Sequence, residues 1–148
     1  ATTAFVVFVD GLGYWNLAMS RGRAPYLRSL MNESAHQRPI ATCAPSTTVA
    51  AMATFGTGTC PGLTGMAGYT QLEPNNHKLI QLIQFKDALA PKPVNPRITT
   101  PPMVDPHDLQ REQTVFEKLR RQEVRVTSSG LPKFAGSPLT EAALRGTD

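Results

Sequence analysis

The sequence predicts an α/β fold: a mostly parallel sheet flanked by helices in three layers. Three observations carry that prediction. Residues 4–9, "AFVVFV", form a continuous apolar run without polar alternation. Such a strand is covered on both faces, as in a parallel sheet with helices on either side. Helical patterns then alternate with short extended ones. Finally, 148 residues with 41% hydrophobic and 18% charged side chains are enough for one globular domain with a substantial core.

The elements follow in order. The apolar run stops on Asp10, followed by Gly11 and Gly13, so the chain turns where a buried parallel strand would present its chemistry. "APYLRSLMNES" places Pro25 in a first helical turn, with Tyr26, Leu27, Leu30 and Met31 at helical spacing. Residues 36–43 form a short extended stretch bracketed by Pro39 and Pro45. "STTVAAMATFGTG" is a helix entered through hydroxyl residues and ended by glycines. The glycine-rich "GTGTCPGLTGMAGYT" is a loop leading to a short strand at residues 66–70, and "HKLIQLIQF" fits either a short helix or a strand. Residues 91–106 hold six prolines and form an irregular excursion. "TVFEKLRRQ" is helical and "EVRVTSS" alternates as a strand. "SPLTEAALRG" is a helix with Ser137 as N-cap, Pro138 in its first turn and Gly146 as its stop.

Composition narrows the function classes. The net charge of +4 is spread along the chain without a clustered stripe and interleaved aromatics, which argues against a specific nucleic-acid surface. No apolar stretch approaches the roughly 20 residues of a membrane span, and no export signal stands at the N-terminus as given, so a cytoplasmic, membrane-free protein is expected. Cys43 and Cys60 lack metal or redox spacing and read as buried free thiols. The Gly11–Gly13 pair lacks the third glycine of a dinucleotide fingerprint.

Two places could carry chemistry. Asp10 leaves the first strand, either as a ligand-binding carboxylate or as the cap of the next turn. Ser46, Thr47 and Thr48 stand at the mouth of a helix, where unpaired N–H groups favour anions and a plain N-cap accounts for one of the three hydroxyls. "DPHDL" gathers Asp105, His107 and Asp108, as a polar helix start or a local ligand set. His36 and His77 are weaker candidates.

"VDGLG", "APYLRSL" and "APSTTVAAMATFGTGTCPGLTGMAGYT", over about residues 4–70, resemble the alkaline phosphatase superfamily, in particular its nucleotide pyrophosphatase/phosphodiesterase-like branch. The resemblance implies a metal-dependent phosphohydrolase that uses two divalent ions, usually zinc. Asp10 matches the metal-binding acid of the family's "DG" motif. With Thr57 and Gly58 as its "TG" motif, the nucleophile, also a metal ligand, falls on Thr48, with Thr47 and Ser46 as the adjacent alternatives. The Val49 N–H would face a phosphoryl oxygen of a small phosphate ester or nucleotide, and turnover would pass through a phosphothreonine hydrolysed by water. The chain departs from the branch at Ala51, where an Asn is common, and at Thr64, where a His precedes glycine. Both departures bear on substrate class, so a phosphomonoesterase or phosphonate-cleaving enzyme is the alternative within the superfamily. "TCAPSTT" lacks the arginine of a sulfatase motif. Outside the superfamily, the alternative is a non-catalytic α/β module.

Asp10 and Thr48 are two ligands, fewer than a catalytic zinc takes from protein. The expectation is therefore that residues 1–148 are the N-terminal portion of one α/β phosphohydrolase domain. The remaining ligands, the missing partner strands and any homo-oligomeric contact would then lie elsewhere.

Overall fold

The computed structural model describes residues 3–20, 22–75, 77–91 and 100–147, in two compact units, Ala1–Ala41 and Thr42–Asp148.

The first unit holds α1 (Tyr14–Met19) and α2 (Pro25–Glu33). Pro25 starts α2 as predicted. Helix α1 was not foreseen. Its signal is Gly13 as N-cap, whose N–H donates to Asn16 Oδ1 at 3.1 Å. Residues 4–9, expected as a buried parallel strand, form no strand, and Phe5 and Val7 are 91% and 85% exposed. The physical reason is that a strand takes its hydrogen bonds and its cover from neighbours. None of the described residues of this unit is buried.

The second unit contains α3 (Thr48–Thr57), α4 (Pro61–Thr64), β1 (Thr70–Glu73), β2 (Lys78–Gln81), β3 (Lys86–Asp87), α5 (Pro106–Leu109), α6 (Val115–Arg121), a 3₁₀ turn (Pro132–Phe134) and α7 (Pro138–Ala143). It is a small α/β arrangement whose sheet, in the order β1-β2-β3, is antiparallel throughout. The ambiguous "HKLIQLIQF" resolves as a strand because Ile80 and Leu82, two residues apart, both face the core. The strand expected at 66–70 lies later, over β1, and meets β2 through a hairpin turn containing His77.

Residues 36–43 and the alternating 123–129 form no strand. After α6 the chain is instead turned back by a helix-ending motif in which Glu123 takes φ 60°. There Val124 N–H donates to the Leu119 carbonyl and Glu123 N–H to that of Arg120. Part of the proline-rich excursion, residues 92–99, lies outside the described residues.

Val49, Ala53, Met66, Ile80, Leu82, Phe85, Leu139 and Ala142 form the core. Helix α3 is its spine and packs against α4, α6 and α7. Where α3 meets α7 the approach is close. A Cβ on Gly56 would stand 1.7 Å from the Ala143 carbonyl oxygen. A second tie joins the segments around α6 and α7. The Arg145 guanidinium donates to the carbonyls of Gln110, Ala142 and Glu112 at 2.9, 3.3 and 2.8 Å, and meets Glu117 Oε1 at 3.4 Å. Partial burial alone would raise the Glu117 carboxyl. The Thr114 N–H and the Arg145 charge outweigh it and hold that carboxyl below its ordinary value.

Both cysteines are free, but the expected burial is wrong: Cys43 is half-buried and Cys60 exposed. Cys60 stands at the N-cap of α4, on the surface, because Pro61 begins that helix immediately after it.

Candidate functional site

In the first unit, Asp10 opens the turn that follows the apolar run. Gly11 carries it with φ 75°, and nothing lies within 4 Å of a Cβ built there. The glycine is thus required by backbone conformation and not by crowding. Asp10 is exposed.

In the second unit, the three consecutive hydroxyls at the start of α3 have different surroundings. Ser46 is exposed and precedes the cap. Thr47 is the N-cap: its Oγ1 accepts the Ala50 N–H at 3.2 Å and donates to the Ala67 carbonyl at 2.8 Å. A hydroxyl has one proton, so Thr47 has spent it on the backbone. Thr48 is the first helical residue, half-buried, with Oγ1 3.1 Å from Tyr69 Oη. Its N–H donates to the same Tyr69 oxygen at 3.5 Å. Val49 follows with its side chain fully buried in the core, which fixes the backbone at the helix mouth. The Val49 amide is one of the first four N–H groups of α3, which have no acceptor within the helix.

The facing segment is also fixed. Met66 is buried in the core, the Ala67 carbonyl is held by Thr47, and the Tyr69 carbonyl accepts the Leu82 N–H at 2.8 Å. The α3 mouth therefore presents the Thr48 hydroxyl, the Val49 amide and the positive end of a ten-residue helix. Thr48 and Val49 are brought together there, while Asp10 belongs to the other unit.

The remaining sequence candidates find other roles. Asp105 caps α5, with Oδ1 accepting the His107 N–H at 2.8 Å, so "DPHDL" forms a helix start. Among the described residues, no three His, Cys, Asp or Glu side chains gather closely enough to hold a metal ion. A hollow of about 510 Å³ is lined by Glu73, Asn75, Asp105, Asp108 and Arg111. In it the Glu73 carboxylate accepts the backbone and side-chain N–H groups of Asn75. Tyr69 is the site neighbour that sequence reasoning missed. Its only signal was its place in "GMAGYT", read as a short strand over residues 66–70.

This is an α/β protein with a threonine hydroxyl and the Val49 amide at the mouth of helix α3. Its family is more specific. Residues 4–144 match the type I phosphodiesterase / nucleotide pyrophosphatase family, and the chain belongs to that family. The match bears out the superfamily resemblance and runs past residue 70 through both α6 and α7. Comparisons with curated proteins and with solved structures give no match. No helix among the described residues is long and apolar enough to cross a membrane.

Proposed function

We propose that this protein is a metal-dependent phosphohydrolase of the phosphodiesterase or nucleotide pyrophosphatase type, with Thr48 as nucleophile and Asp10 as a metal-binding acid. One observation carries the choice of nucleophile. Of the two adjacent threonines, Thr47 commits its hydroxyl to capping α3 and to the Ala67 carbonyl, whereas the Thr48 hydroxyl faces another side chain at the helix mouth.

The Asp10 carboxylate and the Thr48 hydroxyl are oxygen donors, a chemistry that suits a divalent cation. Their number does not suffice for a catalytic zinc, which takes three protein groups. In this reading the other ligands come from outside the described residues. A bound pair of divalent ions, zinc by resemblance, would neutralise phosphoryl charge and lower the pKa of the coordinated hydroxyl. The chain's own residues do the rest. Thr48 Oγ1 bonds to phosphorus as the bond to the leaving alcohol or phosphate breaks. The Val49 N–H donates to a phosphoryl oxygen as charge builds on it. Water then cleaves the phosphothreonine, releasing phosphate or its monoester and restoring the hydroxyl.

The same reading makes residues 4–9 an inner strand of a larger parallel sheet. It treats residues 1–148 as the N-terminal portion of one domain whose further segments cover that run. The support is the exposure of five consecutive large apolar side chains, Phe5 to Val9.

The test uses the full-length protein, with bis(p-nitrophenyl) phosphate as substrate and zinc content measured in parallel. Asp10→Asn should lower bound zinc and turnover together, and Thr48→Ala should abolish turnover while the protein stays folded. Unchanged zinc and unchanged hydrolysis in both variants would refute the assignment.

A further inference from the structure

We infer that Tyr69 is a positioning residue for the Thr48 hydroxyl, acting on the nucleophile and not on the substrate; the inference rests on Thr48 being the nucleophile. Threonine in a helix divides between two χ1 rotamers, because its hydroxyl can also turn toward a carbonyl of the preceding turn. At the first helical position no such turn precedes it, so an outside partner has to choose the rotamer. Tyr69 Oη is that partner, 3.1 Å from Thr48 Oγ1 and 3.5 Å from the Thr48 nitrogen. One phenol oxygen thus touches both the backbone and the side chain of the same residue, which fixes where Oγ1 points relative to the helix axis.

The backbone that carries the phenol is itself held. The Tyr69 carbonyl is bonded to Leu82 at the end of β2, and two residues earlier the Ala67 carbonyl is bonded to Thr47, the residue preceding Thr48. Helix mouth and tyrosine segment are therefore joined twice, at consecutive threonines. The first joint is structural, and the second bears on the group that reacts. Tyr69 Oη accepts the Thr48 N–H and shares one hydrogen with Thr48 Oγ1, and whichever of the two oxygens donates, Oγ1 keeps a lone pair with which to attack. The ring is 49% exposed, so removing its hydroxyl leaves no cavity and no buried polar atom behind.

The experiment compares Tyr69→Phe with Thr48→Ala in the zinc-loaded, full-length protein, using bis(p-nitrophenyl) phosphate. Tyr69→Phe keeps the ring and should lower kcat about tenfold, the scale of one neutral hydrogen bond, with KM and the midpoint of thermal unfolding unchanged. Unaltered kcat in Tyr69→Phe, with Thr48→Ala inactive, overturns this inference and leaves the nucleophile assignment standing. A kcat loss accompanied by a raised KM or a lowered midpoint overturns it too, because a contact to substrate or a purely structural contact would explain it. An active Thr48→Ala removes the nucleophile, and the positioning role goes with it.

Discussion

Replacing Gly56 with alanine tests the packing that supports the candidate site. The added Cβ would lie 1.7 Å from the Ala143 carbonyl oxygen and 2.8 Å from the Ala143 carbonyl carbon. These are backbone atoms, so no rotamer change relieves the clash. Bringing the carbon and oxygen to an ordinary separation of about 3.2 Å requires α7 to retreat by roughly 1.5 Å, and gaps of that size forfeit much of the dispersion energy across an interface. Leu139 and Ala142 of α7 pack in the core with Val49 and Ala53 of α3, so the retreat would open that contact. Overpacking of this kind costs about 3 kcal/mol at the upper end of its usual range, and the better helix propensity of alanine returns about 1 kcal/mol. The net loss is about 2 kcal/mol, a fall in unfolding midpoint of about 6–10 °C for a unit of this size. Circular dichroism melts and urea titrations of Gly56→Ala measure it. Gly62→Ala, where the nearest atom to the new Cβ is Cys60 Sγ at 4.0 Å, is the matched control and should lie within about 0.5 kcal/mol of the parent or above it. A Gly56→Ala protein as stable as the parent would refute the argument, because it would mean the two helices do not approach as described.

Three further outcomes follow from the same geometry. Thr47→Ala should cost about 1–2 kcal/mol, from a lost N-cap and a lost bond to Ala67, yet retain turnover; if turnover vanishes while the fold survives, the nucleophile lies one residue earlier. Thr114→Val should cost about 2 kcal/mol in chemical denaturation, because the fully buried hydroxyl donates to the Arg145 carbonyl and accepts the Glu117 N–H, and valine leaves both unpaired. Since the folded-state pKa of Glu117 is depressed, its contribution is fully present above the ordinary glutamate range and is lost as pH falls through the lower folded value. Stability measured from pH 6 down to about pH 3 should therefore fall less steeply in Glu117→Gln than in the parent. Equal acid slopes would remove Glu117 from the account.

Elements specified by their own neighbours were legible in the sequence. Helix α7 has Ser137 as N-cap, Pro138 in its first turn and Gly146 at φ 89° just beyond it, as read from "SPLTEAALRG". Helix α3 likewise begins after a hydroxyl cap and ends at the left-handed Gly58. What misled the reading was pattern without partner. "EVRVTSS" alternates, but a strand is completed by another strand, and Glu123 in a left-handed turn sends that segment elsewhere. The apolar run at residues 4–9 carries the composition of an inner strand yet forms no strand. At the candidate site, the role of Thr47 could be weighed from sequence as one cap among three hydroxyls. Which hydroxyl it was rests on Thr47 accepting the Ala50 N–H and reaching Ala67 across 20 positions, and that Tyr69 stands beside the next one rests on a contact across 21, neither of the two long reaches being encoded by a local pattern.

The arginine near the end of α7 gathers carbonyls from three places in the chain, the most distant 35 positions away. Removing that one guanidinium would thus take a donor from three carbonyls, two between α5 and α6 and one in α7, so the approach to α6 and the end of α7 should loosen together and not one at a time.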